Sequence, residues 1–196
     1  MKKLLFLGVL SSMILTNSIA DTKNYLGLQY GVAVTQFQIE DNSGGKEKFS
    51  DNANAYKFVI GQGLGDNNYL QIYYENTKYS NDDLKLVTKD QKQKEFGLEW
   101  IKKEKVVNNL YPFAKLGVGI ANIKLDNNLT KESDISALSL TLGAGIDLKT
   151  TDNLSFYIGI DYNYKKWEKF EDITSTYEYK PTQNSIKPYI GLNFKF

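Results

Sequence analysis

The sequence of 196 residues predicts an all-β fold, an up-and-down antiparallel β-barrel that crosses a membrane. Three observations favour it. Apolar and polar residues alternate along most of the chain, the alternating segments reach the ~9–11 residues of a tilted membrane strand, and the connections between them alternate in length. The mean hydropathy of −0.42 is that of a water-soluble chain. Barrel strands give such values, because polar residues of the inner face interrupt their apolar face.

About eight segments show the period of two that places alternate side chains on opposite faces of a strand. They span residues 25–39, 54–64, 69–78, 93–102, 112–123, 135–148, 154–165 and 185–196. The sixth is the clearest, with Leu138, Leu140 and Leu142 in alternate positions. No helical period competes after residue 20, so each segment is predicted to be a strand.

The connections indicate how the barrel is oriented. Residues 65–68, 103–109 and 149–153 form short connections, whereas 40–53, 79–92, 124–134 and 166–183 are longer and polar. Outer-membrane barrels have short periplasmic turns and longer extracellular loops. Since the long connections all fall at one end, we expect both termini at the periplasmic end.

A recurring glycine indicates which face is inside. The pattern glycine, apolar, polar, apolar begins at Gly27, Gly97, Gly145, Gly159 and Gly191, with the glycine always on the polar face. Glycine within a strand marks a close approach of other groups, which is expected on the concave inside of a narrow barrel. The polar face is therefore predicted to line the lumen and the apolar face to meet lipid. A secreted soluble barrel, the alternative, would reverse this arrangement.

The first twenty residues have the features of a secretory signal peptide. Lys2 and Lys3 precede an apolar run over 4–15, and small residues lead to a predicted cleavage site after Ala20. This predicts a signal peptide over 1–20 and one barrel domain over 21–196. The sequence has no cysteine, which excludes a disulfide framework and a lipid-attachment cysteine.

The composition argues against several classes of function. The chain has 24 basic and 23 acidic residues, a net charge of +1, which gives no general attraction for nucleic acid. It has no histidine, the usual base for activating a serine and the commonest metal ligand. Asp82 and Asp83 lack the spacing of a dedicated calcium loop. We therefore expect no enzyme activity, cofactor or metal site.

The segment 188–196, with the sequence PYIGLNFKF, carries a family resemblance. Together with the signal peptide and the alternating segments, it resembles the small outer-membrane β-barrel proteins of the OmpA/OmpX kind, which include porin-like members. The resemblance implies a Gram-negative outer membrane, with its lipid and lipopolysaccharide as partners. It also implies that the outer-membrane assembly machinery reads Gly191, Phe194 and Phe196. Pro188 removes a ladder donor from this strand, and we expect it to mark the outer rim.

Ten charged residues occupy alternate strand positions that are predicted to face the lumen, which we call the lumen parity. They are Lys57, Glu75, Glu95, Glu99, Lys115, Asp147, Asp161, Lys165, Lys187 and Lys195. Lone buried charges are costly, so comparable numbers of both signs predict a paired, hydrogen-bonded plug, with Glu99 and Lys115 as one expected pair. The alternative is a polar path, which would make the protein a narrow channel for ions or small solutes.

Aromatic residues supply two further hypotheses. The last long connection contains Trp167, Phe170, Tyr177 and Tyr179, which are candidate contact anchors of an adhesin or side chains that pack over the rim. A lipid-facing girdle is also expected. Its predicted members are Tyr69, Trp100 and Phe156 at the periplasmic end, with Phe37, Tyr56 and Tyr164 at the outer end. The sequence thus predicts a non-enzymatic outer-membrane protein with a structural or surface role, a plugged lumen and exposed loops.

Overall fold

A computed structural model describes residues 24–80, 92–125, 130–171 and 178–196. These residues form eight long strands and one short strand. Their bounds are β1 Asn24–Asp41, β2 Lys46–Gly65, β3 Asn68–Tyr79, β4 Lys92–Lys103, β5 Leu110–Lys124, β6 Asp134–Lys149, β7 Leu154–Trp167, β8 Phe170–Glu171 and β9 Glu178–Lys195. Among the residues described, there is no helix long and apolar enough to cross a membrane. The predicted signal peptide, residues 1–20, lies outside the described residues.

The long strands form a closed antiparallel barrel. Each strand from β1 to β6 pairs with the next, β7 pairs with β9, and β9 also pairs with β1. The short β8 adds to β9 by pairing Phe170 with Tyr179. Closure leaves no unpaired edge among the eight long strands, which is what the absence of water in a bilayer demands. The predicted up-and-down barrel is confirmed.

The two ends of the barrel differ. The end that holds Asn24 and Phe196, called the terminal end, has the short connections 66–67, 104–109 and 150–153. The opposite end, called the loop end, has the connections 42–45, 80–91, 125–133 and the segment 168–177 that contains β8. Asp66 and Asn67, in the shortest turn, have φ angles of 48° and 60°, the left-handed region that hairpin turns require.

Two of the expected long loops are shorter than predicted. β1 and β2 form a hairpin that continues to a turn at 42–45, and β9 already begins at Glu178. Antiparallel pairing depends on backbone groups, so it continues where the side chains no longer alternate in polarity. The Asp41 carboxylate stabilises the turn by accepting backbone hydrogen bonds from Ser43 and Gly45 at 2.9 and 2.8 Å.

The two faces have the polarity that the sequence predicts. The outer face exposes apolar side chains such as Leu28, Val34 and Leu140, whereas the inner face buries polar ones such as Gln29 and Thr141. The glycines on the inner face are crowded, as expected. A Cβ added at Gly191 would overlap the ring of Tyr157, and one at Gly61 would overlap the ring of Tyr25. Interior tyrosines therefore lie directly over glycines on neighbouring strands.

Three local predictions are wrong. Phe37 and Tyr69 do not belong to a lipid-facing girdle, because both have the lumen parity and pack inside the barrel; the other four predicted members are exposed. Pro188 does not mark the outer rim. It lies between the exposed Ile186 and Ile190, where the β1–β9 pairing is interrupted. Its missing donor falls on the β1 side, because the pairing of β9 with β7 runs through it without a break.

Candidate functional site in the barrel interior

The middle of the lumen holds a network of six charged side chains. Three are lysines and three are carboxylates, and each comes from a different strand: Lys57 on β2, Glu75 on β3, Glu99 on β4, Lys115 on β5, Asp161 on β7 and Lys187 on β9. All six are buried, and Glu99 and Asp161 are 0% exposed. We call these residues the central network. It joins six of the eight long strands across the lumen.

Each lysine of the central network contacts a carboxylate. The Lys57 ammonium lies 2.8 Å from the Glu99 carboxylate and 3.4 Å from that of Glu75. The Lys115 ammonium lies 3.0 Å from Asp161 and 3.6 Å from Glu99, while Lys187 donates to Glu75. Equal numbers of opposite charges leave the centre formally neutral, which is the condition under which buried charges are tolerated.

Neutral side chains complete the network. Gln71 donates to Glu99, and Tyr25 donates to Gln71 at 2.7 Å. The ammonium groups of Lys57 and Lys115 also lie over the rings of Tyr73 and Tyr189, 4.2 and 4.6 Å from the ring centroids. Cation–π contacts of this kind stabilise a desolvated ammonium group. The interior is therefore a connected polar and aromatic packing.

Two further ion pairs lie on either side of the centre. Toward the loop end, Lys165 lies 3.0 Å from Glu95, which accepts a hydrogen bond from Tyr73 at 2.5 Å. Toward the terminal end, Lys103 contacts Asp147. All four charged side chains are buried. Charge pairing thus extends along most of the lumen.

The structure brings together most of the residues that the sequence assigned to the lumen. Nine of the ten charged candidates are buried inside, and Lys195 is half-buried at the terminal end. The expected Glu99–Lys115 contact is present, although Asp161 lies closer to Lys115. Sequence reasoning missed Lys103, which has the parity of Glu99 and Ile101, and the interior tyrosines, whose parity also places them inside.

An apolar cluster closes the loop end of the lumen. It contains Ala33, Phe37, Ala53, Tyr79, Ala121, Ile123, Leu125, Ile135, Ala137, Trp167 and Phe170. We call it the apolar cap. Tyr79 crosses its base, donating to Gln93 at 2.7 Å and accepting from Gln183 at 2.9 Å. The lumen is therefore filled in two consecutive regions of opposite kind, the apolar cap and the charged central network.

The short strand β8 holds the cap in place. Phe170 is 2% exposed and packs against the ring of Tyr179, with the ring centroids 5.3 Å apart. Beside it, Lys131 donates a backbone hydrogen bond of 3.0 Å to the carbonyl of Glu171 and a side-chain bond to its carboxylate. The Glu171 carboxylate raises the pKa of Lys131, because it accepts this bond. The connection between β5 and β6 is thereby tied to β8.

Of the two hypotheses for the aromatic residues of the last connection, the burial of Trp167 and Phe170 favours packing over the lumen and contradicts exposed contact anchors at these two positions. Trp167 is 5% exposed and donates to Gln183 inside the barrel, and Phe170 is buried within the cap. Tyr179 is half-buried against the cap, and Tyr177 lies outside the described residues. These aromatic rings pack over the lumen because packing there buries their apolar surface away from water.

The terminal end is open by comparison. A recess of about 340 Å³ lies there, lined by Tyr69, Lys103, Tyr111, Asp147 and Lys149 among others. The residues of the predicted assembly signal lie at this end of β9. Phe194 and Phe196 are exposed on the outer face, and the Phe196 amide donates to the carbonyl of Asn24 at 2.9 Å. Gly191 lies inside, under Tyr157.

The interior offers ion pairs rather than the arrangement of a metal site. Among the described residues, no three His, Cys, Asp or Glu side chains are grouped so that they could hold a metal ion. The buried carboxylates instead meet lysine ammonium groups and tyrosine hydroxyls. What this arrangement can do chemically is to hold the strands together and to block or filter charged solutes.

A comparison with protein families identifies the barrel. The family model described as "Outer membrane protein beta-barrel domain" matches residues 4–196. None of the curated proteins compared with the chain matches it.

Several solved structures are similar to the barrel. The crystal structure of Neisserial surface protein A has a TM-score of 0.57 and 18% identity, covering 87% of this chain and 97% of its own. The outer membrane protein OprG from Pseudomonas aeruginosa has a TM-score of 0.55 and 16% identity, covering 89% and 96%. Outer membrane protein H of the same organism has a TM-score of 0.53 and 19% identity, covering 89% and 99%. At these identities the similarity is one of fold.

Proposed function

Because the chain belongs to the family of outer-membrane β-barrel proteins, we propose that it is a non-enzymatic structural and surface protein whose lumen is closed. The family indicates the outer membrane of a Gram-negative cell, where the exposed apolar side chains of the outer face contact lipid. Within that setting, the proposed role is support of the membrane as an impermeable scaffold and display of the loop end to the outside.

The observation that carries this proposal is the central network. Lys57, Glu99 and Asp161 meet in the middle of the lumen, and further ion pairs extend from them to Lys115, to Glu75 and, through Glu75, to Lys187 on three other strands. An eight-stranded barrel has an interior only just wide enough for its side chains. A passing ion would have to separate charges that are already paired, and it would then have to cross the apolar cap. Both steps oppose conduction.

The absence of catalysis is part of the same proposal. The buried carboxylates are held by lysines at the centre of the lumen, where a substrate of any size would first have to displace them. The chain also has neither histidine nor cysteine, so the usual nucleophile–base pairs of hydrolases are missing.

The closed lumen is tested by recording current across a planar lipid bilayer after insertion of the mature chain. We expect no unitary current steps at low protein density, with insertion measured separately by protease protection. Glu99→Gln and Lys115→Gln are recorded beside Glu104→Gln, the control, whose carboxylate is exposed and lies 3.6 Å from Lys102 outside the lumen. Reproducible steps that change with the first two variants but not with the control would make the protein a narrow channel.

The surface role requires the loop end to face outside, which single cysteines can test because the natural sequence has none. Ser43→Cys lies in the exposed turn of the loop end, and Val106→Cys lies in an exposed turn of the terminal end. We expect a membrane-impermeant maleimide to label the first variant in intact cells and the second only after the outer membrane is opened. The reverse pattern would contradict the proposed display of the loop end.

A further inference from the structure

The recess at the terminal end of the lumen contains a buried carboxylate that is only half satisfied. Its two most buried charged residues are Lys103 on β4 and Asp147 on β6, which contact each other. Asp147 is 2% exposed, and its oxygen Oδ1 has no hydrogen-bond partner among the described residues. Because an unsatisfied buried acceptor is costly, the recess favours a bound group that donates a hydrogen bond to this oxygen.

Lys103 supplies a donor at the same point. Its ammonium group has three N–H donors, of which one is directed to Asp147, and it lies 4.7 Å from the centroid of the Tyr69 ring. The ammonium can therefore donate to a bound group as well. A hydroxyl group fits this pair, since it can donate to the carboxylate and accept from the ammonium. Water would also fit, as it does at many buried polar sites.

Two tyrosines distinguish the recess from a simple water site. Tyr69 on β3 and Tyr111 on β5 both line it and are half-buried, and Tyr111 lies directly opposite Asp147 in the pairing of β5 with β6. An aromatic wall favours a ligand that brings apolar surface out of water. Water brings none, whereas a saccharide ring presents a C–H face together with its hydroxyl groups. The recess offers a surface for both.

Strand β2 leaves room for such a ring. Its pairing with β3 shifts register between Gly63 and Gly65, and both glycines line the recess. A Cβ added at Gly65 would meet no atom within 4 Å. The recess volume of about 340 Å³ lies at the lower end of the ~300–1,000 Å³ of small-molecule sites. Irregularities of this kind are frequent next to functional sites, and here one keeps space for a single small ring.

The charge of the recess indicates a neutral ligand. Three aspartates and three lysines line it: Asp66, Asp147, Asp152, Lys103, Lys149 and Lys195. At the rim, the Lys149 ammonium lies 2.8 Å from the Asp152 carboxylate, as Lys103 contacts Asp147 deeper in the recess. Equal numbers of both signs give no net attraction for an anion or a cation.

We propose that the recess binds a neutral saccharide unit, one pyranose ring, at the terminal end of the barrel. A hydroxyl of the ring donates to Asp147 Oδ1 and accepts from Lys103, and the C–H face packs against Tyr111. The ring can be a free monosaccharide or one unit of a glycan chain, because the rim residues Asp66 and Asn67 are exposed. This inference goes beyond the proposed function, since it requires neither a closed lumen nor display of the loop end.

The test is saturation-transfer NMR on the folded mature chain, in a detergent without a sugar headgroup, with glucose as the probe. We expect Asp147→Asn to raise the Kd about tenfold, because it removes a charged acceptor. Tyr111→Ala should raise it about threefold, because it removes an apolar wall. The control is Tyr164→Ala, whose ring is exposed on the outer face, and it should bind as the natural protein does. Resistance to heat in gel electrophoresis verifies that each variant is folded.

A conservative variant keeps the test decisive where Asp147→Asn does not fold. Tyr111→Phe retains the ring and is expected to retain binding, in contrast to Tyr111→Ala. Equal binding by Tyr111→Ala and Tyr164→Ala would overturn the proposal, as would unchanged binding by a folded Asp147→Asn. Protonated glucosamine that binds more tightly than glucose would also overturn it, because the recess would then select an ammonium group.

The trisaccharide maltotriose identifies the source of the ring. Binding of maltotriose as tight as that of glucose would support the proposal with one unit of a chain as the ligand. Binding of glucose without binding of maltotriose would support it with a free monosaccharide. Saturation transfer to neither sugar would show that the recess holds only water, and the proposal would be wrong.

Discussion

The central network and the apolar cap both fill the lumen, but they do so by opposite means. In the centre, side chains such as Glu99 and Lys57 are held by specific ion pairs 2.8–3.6 Å long. In the cap, side chains such as Ile123 and Phe170 are buried among other apolar groups, without charge. The first arrangement requires each partner to be present, whereas the second requires only that the volume be filled.

This difference follows from where each region lies along the barrel. The centre is surrounded by the lipid-facing belt, so most of the outward neighbours of its interior side chains are apolar. Polar interior residues at this level give each strand the alternation of apolar outward and polar inward residues that is typical of membrane barrels. The cap lies at the loop end, where the outer face becomes polar, with Asn54 and Asn76 as examples. There the interior can be apolar without making the whole strand hydrophobic.

The largest effect is expected from removing one charge of the central network. Glu99→Gln leaves the ammonium groups of Lys57 and Lys115 without their shared carboxylate, in a site that is 0% exposed. Breaking a buried pair in this way costs about 3–5 kcal/mol. The free energy of unfolding is measured by urea titration in lipid vesicles, with tryptophan fluorescence as the signal.

Two matched variants make this measurement specific. Glu99→Gln combined with Lys115→Met restores equal numbers of lysines and carboxylates in the centre, and we expect it to recover part of the loss. Glu104→Gln removes an exposed carboxylate and should cost less than about 1 kcal/mol. A loss at Glu99 no larger than that at Glu104 would show that the network does not depend on its partners, and the contrast with the cap would fail.

Much of the central network could be predicted from the sequence because it depends only on parity. Once Leu98 and Trp100 were assigned to the lipid, Glu99 had to face the lumen. The same rule applies to Phe37 and Tyr69, whose positions in the alternation predict the lumen, so the girdle that their aromatic character suggests is wrong for both. Parity is the stronger guide, since aromatic residues suit either face of a strand.

The cap was harder to predict, although part of its signal is present in the sequence. In β5, the lumen positions near the loop end carry the apolar residues Ala121 and Ile123, whereas the lumen position nearer the terminal end carries Lys115. β8 gave no such signal, because it has only two residues and its pairing with Tyr179 depends on tertiary contacts. The sequence also does not predict that β2 begins at Lys46, because apolar and polar residues do not alternate in the first part of this strand.

The smallest effect is expected from a conservative change within the cap. Ile123→Val removes one methylene group from a side chain that is 4% exposed, and a change of this kind costs about 0.5–1.5 kcal/mol. The neighbouring Ala121 and Ala137 leave room for the cap to adjust, and no charge loses its partner. The variant is measured by the same urea titration as Glu99→Gln, and the ratio of the two losses is the quantity of interest. A ratio near one would mean that the cap is packed as specifically as the centre, and that filling its volume is not sufficient to close the loop end.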